Sequence, residues 1–297
     1  MKLLRGSQKS EAAEARVGAR RKGTSAKTVR RQKSEVRKKI DLDTYYKDLI
    51  AKEFLDCISN TIARIQAREN KKQAHNNPFQ EILLPQEAVF WSRFERSFST
   101  SFGQRLVETI SKYVVLANGA EAAETQKEIN FFLSEEELTN IRNHIQDLRS
   151  KRLGRKPTWI EDLRSVCCQD IEKTLPIKAN FDLWYKKANK DIYISIKTVK
   201  PNIDQTAVAK EDMMKLKCGY LECEVYFGLY YNPFGDSREL YAHNPPFSIF
   251  DMHKDSVVLI GKDYWDTIGK VGTYEEVLKI AESVREEAKN IMNRYKP

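Results

Sequence analysis

An aspartate and a lysine stand on consecutive stretches of this chain where both could work on one phosphate. Asp182 lies in "NFDLWYKK" and Lys197 in "DIYISIKTV", joined by the turn "KKANK". Ile192, Ile194 and Ile196 alternate with Tyr193, Ser195 and Lys197, the period-two pattern of a half-buried strand. The same rule puts Phe181, Leu183 and Tyr185 on one face of the preceding strand, and Asp182 and Trp184 on the other. A carboxylate binds Mg²⁺ through oxygen, and a neighbouring ammonium stabilises a hydroxide nucleophile or the charge building on phosphate. The chemistry indicated is metal-dependent hydrolysis of a phosphodiester. Such sites usually carry a second carboxylate two residues before the lysine, and here that position is Ser195. Surface hairpins also carry Asp–Lys pairs, so the pair alone does not decide.

The helix expected over about 204–217 offers a replacement. Ala207, Glu211, Met214 and Cys218 fall on one stripe, while Asp212 shares a neighbouring row with Gln205 and Val208. From Lys197 to Lys200 a strand advances about 10 Å. A helix starting near Asp204 and packing back along the sheet returns Glu211 by about 10 Å. Glu211 then lies level with Lys197. The plain alternative is a glutamate paired with a neighbouring lysine.

These residues need a scaffold. Leu49, Phe54, Ile58, Ile62 and Ile65 recur at helical spacing and predict a helix from residue 43 to about 68. Pro78 and Pro85 bracket a loop, and a second helical region covers 86–116 with Gly103 inside it. Ser134 and Glu137 form a capping-box pattern, and Thr158 is placed as another N-cap. Strands are expected at "NFDLWYKK", "DIYISIKTV", "EVYFGLYYN" and "SVVLIG", with one helix after the second, and "TYEEVLKIAESVREEAKNIMNRY" reads as a closing helix. The order predicts an α/β fold with a mixed central sheet flanked by helices. Residues 41–297 are read as one domain, with a helical part at 41–175 and the catalytic sheet and helices at 176–297.

The chain has 297 residues and a net charge of +9. Residues 1–40 hold 14 Lys and Arg against 3 Glu, so the remainder is close to neutral. A basic segment with few large apolar residues is expected to be a disordered tail that grips phosphates without reading sequence. No apolar leader or run of about 18 apolar residues occurs, and a cytoplasmic protein with no membrane partner is expected. Cys57, Cys167, Cys168, Cys218 and Cys223 form no zinc spacing and are expected as reduced, inert thiols.

Asp182, Ser195-Ile-Lys197 and Glu211 resemble the PD-(D/E)xK nuclease superfamily, in the variant with a relocated glutamate. More closely, "IKTVKPNIDQTAVAKEDMMKLK", "LYYNPFG", "FDMHKDSVVLIGKDYWDTIG" and "TYEEVL" resemble the TdeIII family of type II restriction endonucleases, over roughly residues 90–285. Two departures are Phe181 in place of proline and Ser195 in place of a carboxylate. The resemblance implies a restriction-endonuclease-like fold and a homodimer that cuts double-stranded DNA at a palindromic GGNCC-like site, leaving 5′-phosphate and 3′-hydroxyl ends. It implies Mg²⁺ on Asp182 and Glu211 with a backbone carbonyl at Ile196, Lys197 orienting the attacking water, and a cognate DNA methyltransferase as functional partner. "SFSTSFGQRLVETI" resembles a helix of such nucleases whose glutamate reaches the metal from the side, and Glu108 matches it. The alternative for Glu108 is a solvated flank of the stripe Leu106, Ile110, Val114. Lys200, Lys210 and Arg238 are assigned to DNA contact by proximity.

Two rival classes remain. Asn244-Pro245-Pro246-Phe247 is the motif by which amino-methyltransferases hold a flipped base. With 12 glycines in the chain, however, no glycine-rich turn leads from a strand into a helix to hold the methyl donor, so the motif reads as an extended turn. A non-catalytic DNA-binding protein using the basic tail is the other.

Overall fold

The residues that alternate in the sequence do pair as strands, and the sheet they build has five. A computed structural model describes residues 42–70, 78–168 and 172–295; the basic tail lies outside the described residues. Helix α1 (Thr44–Asn70) is followed by α2 (Pro78–Leu83), α3 (Gln86–Ser101), a π-helical turn (Phe102–Leu106) and α4 (Val107–Ala117). Strand β1 (Ala122–Leu133), α5 (Glu135–Arg149) and α6 (Trp159–Arg164) lead to the hairpin of β2 (Leu175–Lys187) and β3 (Lys190–Lys197). Then come α7 (Ile203–Gly219), β4 (Glu224–Leu229), β5 (Val258–Ile260), α8 (Lys262–Ile268), α9 (Thr273–Ser283) and α10 (Arg285–Asn293).

The sheet order is β1-β2-β3-β4-β5. The first three strands pair antiparallel, and β3–β4 and β4–β5 pair parallel, giving the expected mixed sheet. The hairpin closes on Ala188 and Asn189, both at positive φ (50° and 62°), as a two-residue type I′ turn demands. Beyond β3, Asn202 and Gln205 cap α7 reciprocally: Gln205 N donates to Asn202 Oδ1 at 2.8 Å and Asn202 N to Gln205 Oε1 at 3.1 Å. The helix therefore starts within a few residues of Lys197 and supplies the crossover that parallel strands require. Ser134 and Glu137 form the expected box on α5. Thr158 stands at the N-cap of α6 without capping it; its hydroxyl donates to Glu161 instead, at 3.0 Å.

Each side of the sheet buries its own cluster. Leu183, Tyr185, Ile192, Ile194 and Ile196 pack with Leu106, Val107 and Ile110, and with Tyr264 and Trp265 of α8. Tyr193, Val225, Phe227 and Leu229 pack with Met213, Met214 and Leu216 of α7 and Ile141 and Ile145 of α5. Phe181 corrects the sequence reading. It joins the α7 cluster, its ring centroid 5.3 Å from that of Tyr193, while Leu183 and Tyr185 join the α4 cluster. The strand changes face at Asp182.

Other expectations also change. The segment 122–133, given no element in the sequence reading, is β1. Pro78 opens a short helix rather than a loop, and the closing helix is divided into α9 and α10. Cys167 and Cys218, expected as thiols, form a disulfide because the end of α7 brings their Cα atoms to 5.2 Å; Cys57, Cys168 and Cys223 are free. Asn244–Phe247 opens a 3-10 turn with Pro246 buried and Phe247 against the His253 ring, so packing accounts for the motif. Among the described residues no helix is long and apolar enough to cross a membrane.

Lys210 is fully buried on α7. Its Nζ donates to Asp162 Oδ2 and to the Ile249 carbonyl, each at 2.5 Å, and lies 4.8 Å from the Phe250 ring. Burial raises the Asp162 carboxyl, but the His144 imidazole 3.3 Å away, the hydrogen bond and charge of Lys210 and the Arg155 guanidinium outweigh it and hold it at about 2. This network ties α5, α6 and α7 to the segment before β5. Removing one member of a buried pair strands the other's charge, at a cost of about 3–5 kcal/mol. Asp162→Leu leaves the fully buried Lys210 without its carboxylate and should lower unfolding stability in denaturant by about that much, and adding Lys210→Met should recover most of it. A single variant as stable as the parent would contradict this assignment.

Candidate active site

Pairing between β2 and β3 ends at Leu183↔Ile194, one residue short of Asp182 and Ser195. In that gap the Asp182 carboxylate reaches across to β3. Its Oδ2 accepts hydrogen bonds from the Ile196 amide at 2.6 Å and from Lys197 Nζ at 2.8 Å, with Ser195 Oγ at 3.5 Å. Lys197 Nζ also donates to the Ile196 carbonyl at 3.1 Å. The side chains of Asp182 and Lys197 stay 19% and 23% exposed, so a phosphate can reach them. Charge-assisted bonds of this length fix both groups in one geometry.

The other carboxylate beside Asp182 comes from α4. Glu108 is 7% exposed and is linked to Asp182 by Gln126, a residue the sequence reading did not single out. Gln126 Nε2 donates to Glu108 Oε1 at 2.9 Å and to Asp182 Oδ1 at 3.3 Å. Its backbone sits at φ 52°, a region uncommon for residues other than glycine. Register on β1–β2 runs from Thr125↔Leu183 to Lys127↔Phe181, leaving Gln126 and Asp182 unpaired between them. Both strands are therefore distorted at the level where their side chains meet. Burial pushes the Glu108 carboxyl up to about 7; the Gln126 hydrogen bond opposes this, and the Asp182 charge adds to it.

Helix α4 is held in place by its surroundings. The π-helical turn before it, marked by Val107 N bonding to the Phe102 carbonyl, adds a residue to one turn and resets the phase in which Glu108 emerges. Gly103 in that turn lies against Tyr230 and Thr198: an added Cβ would sit 3.3 Å from the Tyr230 hydroxyl. On the next turn of α4, Ser111 Oγ is 2.7 Å from the Tyr264 hydroxyl. The Tyr264 ring fits only because Gly228, paired with Ile196, has no side chain; a Cβ there would come within 2.7 Å of it. A glycine on β4 thus helps set the position of a carboxylate on α4.

The remaining expected residues are placed differently. Glu211 does not meet Asp182 or Lys197; its ion pair is with Lys215 on its own helix at 2.7 Å, and Asp212 approaches the same ammonium at 3.5 Å. Burial raises the Asp212 carboxyl, opposed by Lys215 and by the charge of Lys197, so Asp212 also senses the site. Lys210 and Arg238, expected at DNA, are structural. Lys210 is the buried partner of Asp162, and Arg238 donates from Nε to the Met252 carbonyl at 2.7 Å and from Nη2 to the Asp255 carbonyl at 2.6 Å. Lys200 is exposed, with Nζ 5.5 Å from the Phe234 ring. Among the described residues no three His, Cys, Asp or Glu side chains converge as a ready-made metal cage.

Comparison with known proteins places the chain in a family. The family model for HinfI, a type II restriction endonuclease, matches residues 42–285. The type II restriction enzyme HgiCII of Herpetosiphon aurantiacus is 25% identical over 217 residues, covering 70% of this chain and 77% of the relative. HgiEI and HgiBI of the same organism, also type II restriction enzymes, are 25% and 24% identical over 221 residues, each covering 72% of this chain and 78% of the relative. No solved structure matches the chain. The match runs from the start of α1 into α10 and takes in the sheet, Glu108, Asp182 and Lys197, and the chain belongs to the HinfI family of type II restriction endonucleases.

Proposed function

We propose that this enzyme hydrolyses both strands of a short palindromic site in double-stranded DNA with Mg²⁺, and that Asp182, Lys197 and Glu108 carry the chemistry. The contact of Asp182 with Lys197 at 2.8 Å, in the gap between parted strands, is the observation on which this rests. The donor set fits a small hard cation. Two carboxylates share one Gln126 amide nitrogen, which lies between them as a cation would. With the Ile196 carbonyl they make an all-oxygen set of the kind Mg²⁺ takes. When bound, Mg²⁺ supplies positive charge to offset that growing on the phosphate and the leaving 3′ oxygen.

The chain's own groups do the rest. Lys197 orients and activates the attacking water through Nζ, and its bond to Asp182 keeps that ammonium aimed at the gap. Gln126 holds Glu108 and Asp182 side by side, and these two carboxylates with the Ile196 carbonyl would hold the cation. Glu211, engaged by Lys215, is the alternative carboxylate and would have to leave that ion pair to serve. A homodimer follows from a palindromic site, because identical subunits read identical half-sites. The GGNCC-like site and a cognate methyltransferase are carried over from the sequence resemblance.

The direct test is Lys197→Ala, which should abolish cleavage while specific binding of the site in Ca²⁺ survives. Parallel loss of binding and cleavage in a folded variant would make Lys197 an anchor for phosphate instead. A second test uses pH. Because the Glu108 carboxyl sits near 7 without metal, metal must displace a proton below that pH. Ca²⁺ affinity measured by calorimetry should rise between pH 6 and pH 8 with release of about one proton, and Glu108→Gln should flatten the dependence. Metal-free stability should move the other way. A carboxyl raised above its ordinary value of 4.5 contributes stability that is full below that value and lost as pH rises through about 7. Equal pH dependence in the parent and Glu108→Gln would remove Glu108 from the site.

A further inference from the structure

One residue past the candidate catalytic lysine, two strands part and leave a tyrosine hydroxyl between them and α4. Register between β3 and β4 ends at Lys197↔Leu229, so Thr198 and Tyr230 leave the sheet side by side. The Tyr230 hydroxyl lies 3.3 Å from where a Cβ on Gly103 would stand, and the Thr198 methyl 3.7 Å from the same point. Gly103 belongs to the π-helical turn that leads into α4 and Glu108. The hydroxyl is therefore delivered between the two elements that carry Lys197 and Glu108. It fits there because residue 103 has no side chain.

The Tyr230 ring is held by its neighbours. Its centroid is 5.9 Å from that of Phe102 and 5.2 Å from that of Tyr231, and Trp265 Nε1 donates to the Tyr230 carbonyl at 2.8 Å. The hydroxyl itself bonds to no described residue. Among the described residues, the fully enclosed side-chain polar atoms without a partner are Asn118 Oδ1 and His144 Nε2, so the Tyr230 hydroxyl keeps access to solvent. Thr198 beside it is exposed. Burial, and then the neighbouring Tyr231, pushes the phenol up to about 12, so it remains a protonated donor at neutral pH. A half-buried tyrosine hydroxyl normally finds a partner, and this one stands beside the site with its donor unused. Tyrosine hydroxyls are among the groups that hold DNA phosphates and fix a duplex in register.

We infer that Tyr230 donates its hydroxyl hydrogen to a non-bridging oxygen of the phosphate next to the one cleaved, and so sets the scissile phosphate against Asp182, Lys197 and Glu108. The inference rests on the nuclease reading above and adds a substrate contact which that reading does not use.

The test pairs Tyr230→Phe with DNA in which one linkage at a time is made uncharged. Phenylalanine keeps the ring against Phe102 and Tyr231, so thermal unfolding of the full chain should match the parent. Single-turnover cleavage in Mg²⁺ is followed on the site that the parent itself cuts, with a methylphosphonate replacing each phosphate flanking the cut in turn. On unmodified DNA, Tyr230→Phe should be slower by roughly ten- to a hundredfold, as expected for loss of a hydrogen bond to a charged group. On DNA with one particular flanking linkage neutral, parent and variant should cut at similar rates, because the charged acceptor is already gone and the two losses do not add. At every other linkage the ratio between parent and variant should persist. A variant that cuts unmodified DNA at the parental rate overturns the contact. So does a slow variant whose deficit persists at every modified linkage, which would make Tyr230 a structural residue. A parent that cuts no site in Mg²⁺ overturns the nuclease reading itself, whereas a cutting parent with either of those variant results overturns the Tyr230 contact alone.

Discussion

The Asp182 carboxylate is the constraint on which the site depends. One oxygen takes the Ile196 amide and the Lys197 ammonium, and the other faces Gln126 and, through it, Glu108. That position exists only because β2 changes face at Asp182 and the β2–β3 ladder ends just before it. A regular strand would have paired the Ile196 amide with backbone. Here a carboxylate takes that amide, so side chains of three strands and one helix meet in a gap that solvent can reach. The strained conformation of Gln126 belongs to the same distortion, as expected where a functional geometry is held against local preference.

Much of this was legible in the sequence, and the limits have physical causes. The Asp182–Lys197 hairpin is local: alternation over eight residues and a two-residue turn encode it. The capping box on α5 is local as well. Strand β1 is an edge strand whose polar residues at 124–128 obscure any apolar face, and its pairing with β2 is with residues more than forty positions away. Gln126 was therefore invisible, since nothing in "ETQKE" announces a left-handed residue. Glu108 could be read as a match or a solvated flank, because its burial is produced by β1, which the sequence did not declare. Phe181 seemed to share a face with Leu183 for the same reason: strict alternation assumes an undistorted strand.

Helix α7 shows where helical phase misleads. It is buried on most sides, with Thr206, Ala209, Lys210, Met213 and Leu216 inside as well as Ala207, Met214 and Cys218 of the expected stripe. A stripe drawn through Ala207, Glu211 and Met214 therefore does not distinguish the row facing the active site from rows facing α5 and the 3-10 turn at Pro245. Lys210 is charged and was assigned to the surface, as such residues usually are. It is inside because Asp162 and the Ile249 carbonyl satisfy it. The network fixes the helix whose next turn carries Glu211, Asp212 and Lys215, so a structural ion pair and the acidic flank of the site share one element.

The central claim is that Asp182 and Glu108, brought together by Gln126, form the cation site beside Lys197. Crystals of the enzyme with Mn²⁺ and a duplex carrying its site would locate the metal by anomalous scattering. The account predicts a peak within bonding distance of the Asp182 and Glu108 carboxylates, with the Gln126 amide displaced from between them. A peak held by Asp182 and Glu211, with Glu108 still bonded to Gln126, would contradict it.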